Sequence, residues 1–192
     1  SSEVRSLSCG YHSEPMVVEA AAPLMDELTR RLKWPTAIAV LENCAMVVRY
    51  STIPLSPLAL KHSTIDVRLS LVSRAIGRAY LAFCPPEQQD ALLKELAASG
   101  SAEDEAARDP EGIRRTLRQV REAGYALRDP HFWPATNTLA VPVFDGRGPA
   151  ASLGMTFFSS TMKPQQAAER VLPDLQEVAA QMGERLQQLQ AA

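Results

Sequence analysis

Leu117–Ser159, LRQVREAGYALRDPHFWPATNTLAVPVFDGRGPAASLGMTFFS, is the stretch whose reading decides the fold. It opens as the end of a helix: Leu117, Val120 and Arg121 lead to Ala123-Gly124, and a glycine just past the last periodic residue is the usual left-handed stop. Tyr125 to Arg128 reads as a short strand ended by Asp129-Pro130. Thr136 to Phe144 is rich in β-branched and apolar residues, Asp145-Gly146-Arg147-Gly148 is a hairpin turn, and Ala150 to Phe158 is the returning strand. Between the short strand and the hairpin lies Pro130-His131-Phe132-Trp133-Pro134, too apolar for a simple solvent connection. With Arg128 beside it and Phe132 and Trp133 within it, this loop reads as one wall of a small-molecule pocket.

Working outward toward the N-terminus, Asp109-Pro110 is a strong helix start, an acid at the cap with proline at the first helical position. Ala98 to Arg108, small and acidic, reads as a mobile surface loop. Before it, Glu87 to Ala97 is a helix. Ser73 is the expected N-cap of another helix, Arg74 to Phe83, which Cys84-Pro85-Pro86 ends. Gly77 inside that helix implies close packing or ligand approach, since glycine there costs about 1 kcal/mol relative to alanine. Thr36 to Leu41 and Cys44 to Thr52 form a hairpin joined by Glu42-Asn43. Ile53 to Ser70 contains Pro54 and Pro57, and its middle, Leu58-Ala59-Leu60-Lys61, is read as an edge strand. A first helix, capped by Ser13, carries Val17, Ala21, Leu24/Met25, Leu28 and Leu32 at a spacing near 3.6, with Pro23 expected to kink it. Residues 1–12 carry little pattern and read as a linker.

On the other side, the last helix lies within Pro164 to Leu189, with Pro173 expected to break its first turn. Its stripe, Val171, Leu175, Val178, Met182, Leu186 and Leu189, suits either the core or a partner helix. The order is helix, hairpin, edge strand, three helices, strand, hairpin, helix. Strands with hairpin connections separated by a helical block argue for an α+β domain on an antiparallel sheet.

A chain of 192 residues is long enough for a sizeable core. Lys+Arg minus Asp+Glu is 20 − 22 = −2, so no basic surplus points to nucleic acid. Arg30-Arg31-Lys33 and Arg114-Arg115-Arg118 sit on helical patterns and mark solvated faces. No apolar run approaches the roughly 18–20 residues of a membrane span, and the N-terminus lacks a signal-peptide core. Cys9, Cys44 and Cys84 are odd in number and scattered, which excludes a disulfide framework and a compact Cys-X-X-Cys metal site and fits a reducing cytoplasm.

His12, His62 and His131 are far apart and form no ligand-spaced pair. Neither a Gly-X-Ser-X-Gly elbow, a phosphate loop nor a zinc motif is present, so the chain reads as a non-enzyme without metal or cofactor. The start of the Arg74 helix, with the amides of Ala75 and Ile76, can hold a carboxylate, although Ser73 alone can also satisfy those amides. Arg128 can serve a ligand, or pair with Asp129 or a surface acid. Met155 and Phe157 alternate along a strand and so face one side, whether pocket or core.

Together, Leu7-Ser8-Cys9-Gly10-Tyr11, Ala22-Pro23-Leu24 with Leu28, Ile76-Gly77-Arg78-Ala79-Tyr80-Leu81-Ala82-Phe83, Val120-Arg121-Glu122-Ala123-Gly124-Tyr125 and Leu139-Ala140-Val141-Pro142-Val143-Phe144-Asp145 resemble the effector-binding domain of IclR-family bacterial transcriptional regulators. Within the family, Arg128-Asp129-Pro130 and Gly154-Met155-Thr156-Phe157-Phe158 resemble activators of hydroxyphenylpropionate catabolism. The resemblance implies a GAF-like, profilin-like domain, a curved antiparallel sheet with helices packed on it and a ligand pocket in its cup. It implies dimers or tetramers, and a winged helix-turn-helix ahead of the domain that contacts operator DNA. On that reading residues 1–12 are the linker from it, residues 13–192 are the effector-binding domain, and the chain is a fragment that does not bind DNA alone.

Family pocket positions carry over onto Ala75, Ile76, Arg128, Thr138, Met155 and Phe157, with Arg74, Phe132 and Trp133 at the rim. Family members that sense small oxo-acids place an acid, a cysteine and two serines at the last four of those six positions. The change to Arg128, Thr138, Met155 and Phe157 implies a larger, partly apolar and aromatic carboxylate, with Arg49 or Arg74 as competitors for the anionic role. The alternative is a small-molecule enzyme or binding protein on the same scaffold, since fold does not fix function.

Overall fold

A computed structural model describes residues 2–59 and 63–192, with side chains from residue 15 onward. The first helix, α1 (Ser2–Leu32), leads into a hairpin of β1 (Thr36–Glu42) and β2 (Ala45–Ser51). A 3₁₀ turn (Ile53–Leu55) and a two-residue strand β3 (Arg68–Leu69) follow. The helical block is α2 (Ala75–Phe83), α3 (Pro86–Ala98), a 3₁₀ segment (Ala102–Arg108) and α4 (Pro110–Ala123). Then come β4 (Ala126–Leu127), β5 (Thr136–Phe144), β6 (Pro149–Phe158) and α5 (Pro164–Ala191). The six strands make one antiparallel, curled sheet in the order β3-β2-β1-β6-β5-β4, so the first and last hairpins meet at β1 and β6. This is the expected α+β, GAF-like architecture.

The decisive stretch folds as its residues dictate. Gly124 ends α4 in the left-handed region at φ 75°, its N–H donating to the Val120 carbonyl. Asp109 caps the other end of α4, accepting from the Gly112 amide at 3.0 Å. In the β5–β6 turn the Asp145 carboxylate accepts from the Arg147 amide and Gly146 takes φ 88°. The β1–β2 turn falls one residue later than the sequence suggests, at Asn43 and Cys44, both at positive φ.

The pleat sends alternate residues to two separate cores. Ile38, Leu139, Val141, Val143, Leu153 and Met155 pack with α1 and α5. The opposite face, with Ala39, Val48 and Ala140, packs with α2, α3 and α4. The stripe of the last helix belongs to the first core: Val171, Leu175, Val178, Met182 and Leu186 are buried, and Leu189 packs against them.

Four readings need correction. Helix α1 begins at Ser2 rather than at a Ser13 cap, and it runs through Pro15 and Pro23. The edge strand is Arg68–Leu69, paired with Met46 and Val47, whereas Pro57 and Leu58 form a turn. Leu60 and Lys61 lie outside the described residues. Ala98–Arg108 is no loose loop: its carboxylates are tied to Ser70 and Arg74, which orders it. Pro173 does not fall in the first turn: α5 starts at Pro164 and continues through it.

Candidate functional site

Beyond the edge of α2, the face that carries Ala39 and Ala140 opens into a cup. Thr36 and Ala37 from β1, Val48 and Ser51 from β2, Thr138 from β5, and Gly154 and Thr156 from β6 line it. The start of α2 and the 128–136 segment close the sides, and the enclosed volume is about 480 Å³. That lies within the roughly 300–1,000 Å³ usual for small-molecule sites. Gly154 lets Ile76 come down onto the sheet, since a Cβ there would stand 2.7 Å from its side chain.

Helix α2 starts one residue later than expected, and this decides its capping. The N-cap is Arg74, whose side chain accepts nothing from the helix. Ser73 is displaced to the preceding turn, where its hydroxyl reaches Glu103 at 3.5 Å and its carbonyl accepts from the Asp129 amide. Among the described residues no side chain therefore caps the amide end of α2, where Ala75 and Ile76 face the cup. Such an end favours an anion through free N–H groups and the helix dipole.

Arg128 follows directly on β4 and projects into the cup. Its Nη1 donates to the Thr136 carbonyl at 3.3 Å and hydroxyl at 3.0 Å, and its Nη2 donates to the Thr138 hydroxyl at 2.7 Å. Thr138 in turn is 3.0 Å from Thr156, directly opposite it in the hairpin register. The neighbouring acid, Asp129, is taken: Arg78 Nη2 donates to it at 3.0 Å and His131 holds its other oxygen at 2.8 Å. Among the described residues, then, Arg128 has only neutral oxygens for partners. Burial, with the nearby Arg74 charge, pushes its guanidinium down to about 10, against the opposing pull of the Glu103 charge.

Arg74 also lines the cup, but its charge is met. Its Nε and Nη2 donate to the two Glu103 oxygens at 2.9 and 2.5 Å, and its guanidinium lies 5.5 Å from the Trp133 ring. Trp133 stands at the rim, 54% exposed, with φ 57°. Arg49 is not in the cup at all; it bonds Glu42 and Asp66.

The structure thus brings Arg74, Ala75, Ile76, Arg128, Trp133 and Thr138 together. Met155 is not with them. It has the opposite pleat parity from Thr138's partner Thr156, is fully buried, and packs against α1 and α5. Phe157 shares that parity and that core; it borders the cavity with 1% of its surface exposed. Phe132 is half-buried and outside the lining. Gly154 and Thr156, which do face the cup, escaped the sequence reading, although counting the hairpin register from Thr138 points to Thr156. The described lining offers cationic and hydroxyl donors over apolar walls. Such a lining can donate to an anion and pack an apolar body.

Residues 9–184 match the family described as the bacterial transcriptional regulator IclR C-terminal domain. The chain belongs to that family. It is 28% identical over 164 residues to the HTH-type transcriptional regulator BhcR of Paracoccus denitrificans (strain Pd 1222), covering 82% of this chain and 56% of that protein. With the Pca regulon regulatory protein of Pseudomonas putida it shares 23% over 177 residues, 90% of this chain and 60% of that one. The chain thus spans a little over half the length of these two relatives. Among solved structures, the Thermotoga maritima IclR superposes with a TM-score of 0.77 at 18% identity, over 95% of this chain and 74% of that one. An IclR homologue from Microbacterium hydrocarbonoxydans complexed with 4-hydroxybenzoate gives 0.71 at 23%, over 93% and 70%. These likenesses bear out the fold. No helix among the described residues is long and apolar enough to cross a membrane.

Proposed function

We propose that this is the ligand-sensing domain of an IclR-type regulator and that its cup takes an aromatic monocarboxylic acid. The observation that carries the reading is Arg128, a half-buried cation in the cup that, among the described residues, donates to threonine oxygens and to no carboxylate. A ligand carboxylate would supply a directly bonded countercharge, and the start of α2 would donate to it. The apolar walls and Trp133 would take the ring. The 4-hydroxybenzoate complex of one similar protein supports the choice of acid. In the full-length protein, on this reading, ligand occupancy controls DNA binding or transcription through a winged helix-turn-helix ahead of this domain. The protein self-associates as a dimer or tetramer, in the cytoplasm.

A ligand that binds the folded state raises its thermal stability by mass action. Benzoate-, hydroxybenzoate- and phenylpropionate-like acids should therefore raise the melting temperature of the chain, while glyoxylate and pyruvate leave it unchanged. A shift with glyoxylate and none with the aromatic acids would reverse the reading.

A further inference from the structure

Among the described residues two arginines line the cup, and one of them is already held by a carboxylate. Arg74 is gripped on its edge by both oxygens of Glu103 and covered on one face by the Trp133 ring. Glu103 itself is not part of the lining; it stands behind Arg74 on the 3₁₀ segment and also reaches the Ser73 hydroxyl. That segment is held in place by Asp104, which accepts from Ser70 at 2.7 Å and from Ser99 at 2.9 Å. Arg74 and Arg128 are the charged residues of the described lining. Counting them with Glu103 gives 2 − 1 = +1.

We propose that Glu103 sets the charge of the ligand: by neutralising Arg74 it leaves one cationic receptor, Arg128, and so selects monocarboxylates over dicarboxylates. The proposal rests on the aromatic-acid reading above and names the determinant of its selectivity. Arg128 satisfies one carboxylate. A second carboxylate on the same ring must give up water inside the cup with no cation free to receive it among the described residues, and an ionised group desolvated without a partner is heavily penalised. Selectivity here is a built-in exclusion, because the cation that could accept a dianion is present but occupied. Sequence composition hides this role, since Glu103 lies 29 residues from Arg74 in an acidic stretch that reads as solvent-exposed.

The test is calorimetric titration of the 192-residue chain with benzoate and with phthalate, isophthalate and terephthalate, which sample three spacings of a second carboxylate. Wild type should bind benzoate at least about tenfold more tightly than each diacid, the scale of an uncompensated charge. Glu103→Gln frees Arg74, and the benzoate preference should fall by about tenfold or more against at least one diacid. Arg74→Gln leaves Glu103 facing Arg128 and should weaken benzoate. The double variant Arg74→Gln/Glu103→Gln returns the cup to +1 and should recover both benzoate binding and the preference, which tests the idea even if Glu103→Gln alone folds poorly. Equal wild-type affinities for benzoate and a diacid, ratios unmoved by Glu103→Gln, or Arg74→Gln matching the double variant would each overturn the proposal. If wild type bound none of the four acids, the aromatic-acid reading itself would fall.

Discussion

Gly77 lies directly against the carbonyl of Ser70: a β-carbon built on the glycine would stand 2.1 Å from that oxygen and 2.6 Å from the Leu71 Cα. Both obstacles are backbone, so no side chain can swing away. This contact lets α2 sit deep enough for its first amides to reach the cup. Gly77→Ala should therefore destabilise the domain by about 3 kcal/mol or more, the upper range for overpacking. Urea melts would show it, and a change below about 0.5 kcal/mol would mean that α2 is free to shift.

A hydroxyl cluster ties α1 to the first hairpin. Thr52 Oγ1 lies 2.6 Å from Thr29 Oγ1 and 3.0 Å from Thr36 Oγ1, and it accepts from the Thr36 amide at 2.8 Å. All three threonines are buried. Thr52→Val keeps the shape but takes the acceptor from the Thr36 amide and leaves the Thr29 and Thr36 hydroxyls only their 3.3 Å contact with each other, at a cost of about 2 kcal/mol. A denaturant midpoint equal to wild type, with an unchanged slope, would show that the cluster contributes no net stability.

How far the sequence could be read depended on whether a residue's signal was local. Gly124, Asp109-Pro110 and the Asp145–Gly148 turn carry their structural reasons within a few positions, and each formed where expected. The sheet face did not carry such a signal. Strand β6 is buried on both sides, from Ala151 through Met155, so no polar alternation distinguishes the cup from the α1/α5 core. Met155, expected in the pocket, lies one pleat away, in the α1/α5 core. The two-residue β3 has no period to read, and Ser73 lost the cap position to Arg74 through a one-residue shift of the helix start.

Lys33 ends α1 at φ 68°, its amide donating to the Thr29 carbonyl at 2.8 Å. A side chain in that left-handed cap is strained, whereas glycine adopts it freely. Lys33→Gly should raise stability by about 0.5–1 kcal/mol, after allowing for the greater freedom of glycine in the unfolded chain. A lower melting temperature would contradict this.

Glu103 also predicts an acid response. The Arg74 hydrogen bonds hold its carboxyl below the ordinary glutamate value of 4.5, against the opposing effect of burial. In the window below 4.5 the unfolded chain therefore binds the proton more readily, so stability from this pair is full above 4.5 and is lost as pH falls through the folded-state value. Stability measured from pH 6 down to 3 should fall less steeply in Glu103→Gln than in wild type. Parallel curves would show that the pair is not formed in solution.

The most direct test of the account is the affinity of the cup for 4-hydroxybenzoate with and without Arg128, measured by isothermal titration calorimetry. A charge-assisted hydrogen bond is worth roughly 1.5–3 kcal/mol, and each 1.4 kcal/mol is a factor of ten. The account predicts that wild type binds and that Arg128→Ala, with a melting temperature showing it folded, binds about tenfold or more weakly. Equal affinities in the two proteins would contradict it and remove Arg128 from the site.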